Sequence, residues 1–252
     1  IASCLVGSEM CIRDRTSTIL HLLIKAKDMT RLLPPNYNVT LEGYSIIMRP
    51  IEINDIGEEY VSWLNNPEIN EFLEVSSQRE QTFKDIIQYV NKRRSDGTEV
   101  FGIITKYNNK LVGTTGLFNC DKKIEYQNMI SLRLIEGDSK STMLTLGYGL
   151  MIGDKNAQQM GVGGEAYIYM LSIIFDIIKA DLIFNMAVLN HKEVIIMAER
   201  AGFNKLYYLK DHIELSDDKY DGIVLTMTKD EWATKKKRFR KLLDRLKINN
   251  EK

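Results

Sequence analysis

Apolar positions along this chain recur at two periods. Ile56, Tyr60, Val61 and Leu64 fall at helical spacing behind Asn54-Asp55-Ile56, which reads as a helix cap, and Asn65-Asn66-Pro67 ends the helix. Residues 81–94 form a second amphipathic helix, with Phe83, Ile86, Ile87 and Val90 on its apolar face. A helix from Glu165 to Lys179 is apolar nearly all round, so it is expected to lie buried against a sheet. A short helix covers residues 192–200, and residues 232–247 form a strongly basic one, with Phe239, Leu242, Leu243 and Leu246 as its apolar side.

Short apolar runs bounded by turn residues read as strands. They are Ile46–Arg49 with a shorter piece before Glu42-Gly43, then Val100–Thr105, Leu111–Phe118, Gly149–Ile152, Leu182–Leu189, Lys205–Leu209 and Ile223–Thr228. Tyr107 to Lys110 is a hairpin turn. Residues 130–135 are an expected strand, and residues 136–141 and 211–221 are expected polar loops. Strands that pair as hairpins, plus one parallel strand–helix–strand unit in the second half, predict a single α/β domain. Its sheet is mixed, mostly antiparallel, and flanked by helices.

Composition narrows the function classes. Lys+Arg and Asp+Glu both number 34 in 252 residues, so the net charge is zero and nothing global points to nucleic acid. No apolar run reaches the roughly 18 residues that span a bilayer, so no membrane partner is expected. Cys4, Cys11 and Cys120 fit neither a zinc motif nor a disulfide framework, which makes a reduced cytoplasm the expected location. Residues 1–28 have little periodicity and read as a non-native or disordered extension, with Met29 as the expected start.

The stretch with chemistry in it is residues 147–166, GYGLMIGDKNAQQMGVGGEA. Its order is strand, polar loop, glycine turn, helix. The first N–H groups of a helix have no intrahelical partner, and the helix dipole adds positive charge there. Glycines let an anion approach that backbone, so the turn reads as a phosphate cradle. A Walker A loop needs Lys-Ser/Thr where Gly164 is followed by Glu165, so that reading fails. Gly161-Val162-Gly163-Gly164-Glu165-Ala166 does match a dinucleotide fingerprint. That turn leaves its strand almost directly, however, whereas here a loop intervenes after Asp154. The following strand also ends in Val188-Leu189-Asn190, with no carboxylate for a ribose.

A third pattern is Gln/Arg-x-x-Gly-x-Gly/Ala, which Gln158-Gln159-Met160-Gly161-Val162-Gly163 matches. With it go Asn190, the helix over residues 192–200 and Gly202-Phe203. Upstream stand Arg49-Pro50 and Tyr60-Val61-Ser62-Trp63-Leu64-Asn65-Asn66-Pro67, and Asp230-Glu231-Trp232 follows the last strand. Over residues 45–232 the chain resembles the GNAT superfamily of N-acetyltransferases, in its ribosomal-protein N-terminal and amino-sugar acetyltransferase-like subgroup. The resemblance leaves residues 233–252 as a basic C-terminal helix beyond the domain.

The resemblance implies acetyl-CoA as co-substrate and an amine-bearing acceptor: a protein N-terminus, an amino sugar or another small amine. It implies a sheet that splays beside the strand Gly149–Ile152, with the pantetheine arm pairing to backbone of Met151, Ile152 and Gly153. The pyrophosphate would sit on Gln158, Gln159, Met160, Gly161, Val162, Gly163 and Gly164, and Asn190 would face the pantetheine or the acceptor. A monomer or homodimer is expected. The family often places a Tyr in the helix before Gly-Phe, where this chain has Met197-Ala198, and a Glu near the start of the splayed strand, where it has Gly147-Tyr148. Tyr148 and Asp154 are then proton-transfer candidates by position, beside their plainer readings as packed strand residue and turn residue. A non-catalytic acyl-CoA sensor of the same fold is the alternative.

Three further residues have both readings. Trp63 could line the acceptor pocket, but Trp is usually buried, so it is expected to anchor the first helix. His191 is expected to be solvated. His212 with Glu214, Asp217 and Asp218 has no metal-ligand spacing, so no metal site is expected.

Overall fold

The computed structural model describes residues 39–73, 79–119, 145–215 and 218–250. The expectations for residues 1–28, 130–135 and 136–141, and for Asp217, lie outside these.

The architecture follows from one long sheet with a helix layer on each face. The strands are β1 (Leu41–Glu42), β2 (Ile46–Pro50), β3 (Val100–Thr105), β4 (Leu111–Asn119), β5 (Thr145–Ile152), β6 (Leu182–Val188), β7 (Asn204–Leu215) and β8 (Asp218–Thr228). They lie in the order β1-β2-β3-β4-β5-β6-β8-β7. Every neighbouring pair is antiparallel except β5 and β6. This is the mixed, mostly antiparallel α/β sheet that the patterning predicts.

Side chains alternate between faces along a strand. On β5, Leu146, Tyr148, Leu150 and Ile152 enter the main core, while Met151 enters a second core on the opposite face. That second core lies under α1 (Glu58–Leu64), α2 (Pro67–Asn70) and α3 (Phe83–Ser95), through Tyr60, Trp63, Ile69, Ile86 and Val90. Trp63 therefore does anchor the first helix, at 8% exposure. The expected cap Asn54-Asp55-Ile56 falls in a 3₁₀ turn (Ile53–Asp55) instead, and Gly57 caps α1. Asp55 turns to Arg49, which donates to both its oxygens at 2.7 and 2.8 Å. Helix α3 starts from a capping box in which Thr82 and Asp85 each accept the other's backbone N–H. Phe83 stands at its first position and points outward, so it leaves the apolar face assigned to it.

The main core holds α5 (Val162–Ser172), a π-helical turn (Ile173–Ile177), α6 (Lys192–Ala201) and α7 (Lys229–Asn250). Several boundaries differ from the sequence reading. Strand β5 begins at Thr145, four residues early, because a buried sheet tolerates Gly147 and Gly149 that local propensity disfavours. The loop expected over 211–221 is largely strand. It is the tip of the β7–β8 hairpin, where Ile213 and Leu215 pack inward against Met186, Val188 and Phe72 while Glu214 between them faces out. Finally, the basic C-terminal helix is part of the core rather than an appendage. Trp232, Phe239 and Leu243 are buried in it, and Phe175, Trp232 and Phe239 stack at 6.1 and 5.7 Å. Asp176, on the π-helical turn, accepts from Trp232 Nε1 at 3.2 Å and pairs with Lys236 at 2.7 Å. The remaining apolar residues assigned to this helix divide: Leu242 is 47% exposed, and the side chain of Leu246 is outside the description.

Candidate active site

The site begins where the parallel pair comes apart. Strands β5 and β6 pair only at Thr145↔Leu182 and Leu146↔Ile183. On its other edge β5 stays paired to β4 through Ile152. At the next facing position Asn185 presents its side chain, not its backbone, to Tyr148. The Tyr148 N–H donates to Asn185 Oδ1 at 3.0 Å, and Asn185 Nδ2 donates back to the Tyr148 carbonyl at 3.0 Å. One amide thus satisfies both backbone groups at the point of separation, while itself only 3% exposed. Sequence reasoning missed Asn185, although a lone amide in the run Leu182–Val188 was a signal that a buried partner must exist. Asn185→Ala is expected to cost about 2 kcal/mol, because two backbone groups lose their partners beside an opening that water can reach. Denaturant unfolding of the variant checks this, and a change below about 0.5 kcal/mol would contradict it.

Backbone direction alternates as side chains do. Tyr148 faces β6, so Leu150 and Ile152 follow it toward the split. Met151 and Gly153 turn the other way, and the Gly153 N–H donates to the Val112 carbonyl at 2.9 Å. Of the three residues expected to pair with a pantetheine arm, only Ile152 points into the split, and Leu150 joins it. The Ile152 carbonyl already accepts from Gln158 Nε2 at 2.8 Å. Gly153 instead carries the Trp63 indole. A Cβ on Gly153 would lie 2.0 Å from Trp63 Cδ2.

The segment between strand and turn, read as a polar loop, is a short helix, α4 (Lys155–Gln159). Asp154 caps it: Oδ1 accepts from the N–H of Asn156 at 2.7 Å and of Ala157 at 3.1 Å. Met160 follows, exposed, and Gly161 turns the chain with φ +77°, a conformation that favours glycine. The expected glycine turn is the N-terminus of α5 itself, with Gly161 as cap and Val162, Gly163 and Gly164 as first turn. Val162 is fully buried and pins that turn to the core. On the outer side a Cβ at Gly161 or Gly164 would meet nothing within 4 Å, and one at Gly163 only Ile152 Cγ1 at 3.4 Å. A helix start with open space before it fits a diphosphate.

Both proton-transfer candidates have structural work. Tyr148 is fully buried, and its hydroxyl lies 2.5 Å from that of Tyr167. Burial, together with the neighbouring Tyr167, pushes its pKa well above the usual tyrosine value, and burial also raises that of Tyr167. A sealed hydroxyl has no route to an acceptor, so Tyr148 is a packed strand residue. Both phenols stay neutral in the fold. Their contribution to stability is therefore complete below an unfolded-state pKa of about 10 and is lost as pH rises toward the higher folded values. Unfolding midpoints measured from pH 8 to 11 should be level at first and fall above about pH 10.

Asp154 is occupied by its cap. Asn caps as well as Asp, so Asp154→Asn is expected to leave stability and turnover unchanged, while Asp154→Ala costs about 1 kcal/mol. A fall in turnover of about 100-fold in a stable Asn variant would restore Asp154 as a base.

Asn190 is exposed in the turn between β6 and α6, at the same end of the parallel pair as Gly153. His191 beside it is not solvated. It is 6% exposed and stacks on Phe72 at 4.2 Å between ring centres, because the segment after α2 reaches across to β6. Among the described residues no group of His, Cys, Asp and Glu could hold a metal ion, and no helix is long and apolar enough to cross a membrane.

The sequence model of the acetyltransferase (GNAT) domain matches residues 45–204. No curated protein sequence matches the chain. Solved structures do. An acetyltransferase of the GNAT family from Bacillus anthracis matches with a TM-score of 0.60 at 16% identity, over 77% of this chain and 100% of that one. Spermidine N-acetyltransferase from Vibrio cholerae, in complex with CoA and spermine, gives 0.59 at 14% identity, over 75% and 98%. A Vibrio cholerae protein provisionally named a ribosomal-protein-serine acetyltransferase gives 0.54 at 16% identity, over 75% and 97%. At such identities these likenesses show the fold and leave the subgroup open. The family match covers well over half of the chain, and the chain belongs to the GNAT acetyltransferase family.

Proposed function

We propose that the protein transfers an acetyl group from acetyl-CoA to a primary amine by direct attack in a ternary complex. One observation carries this reading. The strands part at Tyr148, and the helix that follows the parted strand opens with Gly161–Gly164 facing open space. A long thiol ester with a diphosphate at its far end fits the two features in series. The arm would lie in the split against backbone of Leu150 and Ile152, and one N–H there would polarise the thioester carbonyl. The diphosphate would meet the segment from Gln158 through Gln159 and Met160 to Gly164, and Asn190 would flank the mouth.

The amine nitrogen attacks the carbonyl carbon, the C–N bond forms, and the C–S bond breaks. Nitrogen loses a proton and the departing thiolate gains one. An alkyl amine has a pKa of about 10.4, so roughly one in a thousand is neutral near pH 7. With Tyr148 sealed and Asp154 capping, water is the proton carrier, and proximity supplies most of the rate.

The acceptor is a small amine, an amino sugar or a protein N-terminus. The spermidine acetyltransferase of the same fold, with spermine bound, makes polyamines a class to include. The test is incubation with acetyl-CoA and a panel of a polyamine, an amino sugar and short peptides, following release of free thiol. Saturable release with one class is expected. Tight CoA binding with no turnover on any amine would instead make the protein an acyl-CoA sensor. Binding of a nicotinamide dinucleotide in place of CoA would sink the reading.

A further inference from the structure

The residues that open α5 are Gly161, Val162, Gly163 and Gly164, so the proposed diphosphate seat has almost no side chains with which to hold itself in place. The glycines contribute backbone alone, and Val162 contributes one buried isopropyl group. Packing of that kind fixes depth but not direction, because its contacts are many, weak and non-directional. The N–H groups of the seat must nevertheless point at a fixed spot, since a hydrogen bond weakens steeply as its angle closes.

The next residue supplies the direction. Glu165 is only 1% exposed, three positions after Val162 and so on the same face of the helix. Gly163, two positions before it, lies about 200° round the axis and faces the other way. The Glu165 carboxylate reaches across to the turn between β1 and β2. Oε1 accepts from the Tyr44 N–H at 2.5 Å, and Oε2 accepts from the Ser45 N–H at 3.1 Å and from the Ser45 hydroxyl. The fit is close: a Cβ on Gly43 would lie 1.9 Å from Glu165 Oε1 and 2.7 Å from Tyr169 Cε2. The turn is itself tied down. The Gly43 N–H donates to the Ile46 carbonyl at 2.8 Å, and the Tyr44 hydroxyl donates to Asp244 of α7 at 3.1 Å. A buried carboxylate is costly unless its oxygens are satisfied, and an apolar side chain would hold helix to sheet without that cost. What the carboxylate adds is three charge-assisted bonds of set direction.

We infer that Glu165 is a positioning residue for the donor. By gripping the β1–β2 turn behind α5, it sets the rotation of the helix about its axis. That rotation aims the Val162 and Gly163 N–H groups, while those of Gly164 and Glu165 go to the Gly161 carbonyl at 3.1 and 3.2 Å. Glu165 is no ligand of the diphosphate, because its charge is turned away and met by the turn. The inference rests on the proposal that the start of α5 seats the diphosphate.

Calorimetric titration of the full chain with acetyl-CoA and with S-acetylpantetheine, which keeps the arm and lacks the diphosphate, tests it. Glu165→Gln keeps the size of the side chain but turns an amide NH₂ toward the Ser45 N–H. It should bind acetyl-CoA roughly ten-fold more weakly and S-acetylpantetheine as the wild type does. Ser45→Ala removes one donor at a half-buried position and should fold normally. It should shift the same ratio the same way by about three-fold, and it carries the test if Glu165→Gln does not fold. Equal weakening of both compounds in the variants would overturn the inference and leave the seat standing, because a merely structural prop acts on the whole site. Unchanged acetyl-CoA binding by folded Glu165→Gln would do the same. If the wild type binds the two compounds equally, the diphosphate is not read at this turn, and the seat itself falls with the inference.

Discussion

Gly153→Ala is expected to destabilise the protein by about 3 kcal/mol, the upper part of the range for an overpacked core. The new methyl group would stand 2.0, 2.3 and 2.4 Å from Trp63 Cδ2, Cγ and Cε3. Carbon atoms pack at about 3.5–4.0 Å, so ring and strand must separate by more than an ångström. Neither has slack. Trp63 is buried against Tyr60, with ring centres 6.0 Å apart, and the Gly153 N–H is tied to β4. Chemical unfolding of the wild type, Gly153→Ala, Trp63→Ala and the double variant gives the coupling directly. In the Trp63→Ala background the added methyl group should cost almost nothing, for a coupling of about 2–3 kcal/mol. If Gly153→Ala costs the same in both backgrounds, the indole is not what demands glycine. Because the displaced ring would move at the mouth of the split, turnover should fall in the same variant at temperatures where it remains folded.

Gly163→Glu should weaken acetyl-CoA binding on the order of 100-fold, since it removes an anion seat and adds a like charge in its place. The fold should survive. A Cβ here makes only an ordinary contact with Ile152 Cγ1, at 3.4 Å, and a carboxylate in the first turn of a helix favours the helix. Loss of affinity with an unchanged or raised melting temperature is the expected pair of results. Gly163→Ala separates size from charge and should keep most of the affinity. A folded Glu variant with wild-type affinity would remove the diphosphate from this turn.

These two sites differ in how readable they are from residues alone. The glycine turn is legible because its physics is local: strand, turn and helix follow one another, and each glycine matters to its own backbone. Its details are less so, since Val162–Gly164 join the helix only because Val162 is pulled into the core. The demand for glycine at position 153 is invisible in sequence. It comes from Trp63, ninety residues away in the chain, lying across the strand end. His191 likewise reads as solvated, because nothing near it in sequence announces Phe72. The tip of the β7–β8 hairpin, residues 211–221, reads as loop because polar residues dominate it, and the two apolar residues of β7 there, Ile213 and Leu215, find their cover in Met186, Val188 and the distant Phe72. The helices around Tyr60, Val90 and Phe239 were legible, because each buries a stripe of regular spacing.

Asn185 has a consequence for how the donor arrives. Two strands that must be pulled apart to admit a ligand expose bare backbone each time, and such a step sets a gate on association. Here the amide holds the parted edges in a hydrogen-bonded resting state. Opening is then a standing property of the fold and not an event in the binding cycle. The donor should enter in a single kinetic phase, at a rate governed by encounter and by the charge around the cleft, with no slower rearrangement behind it.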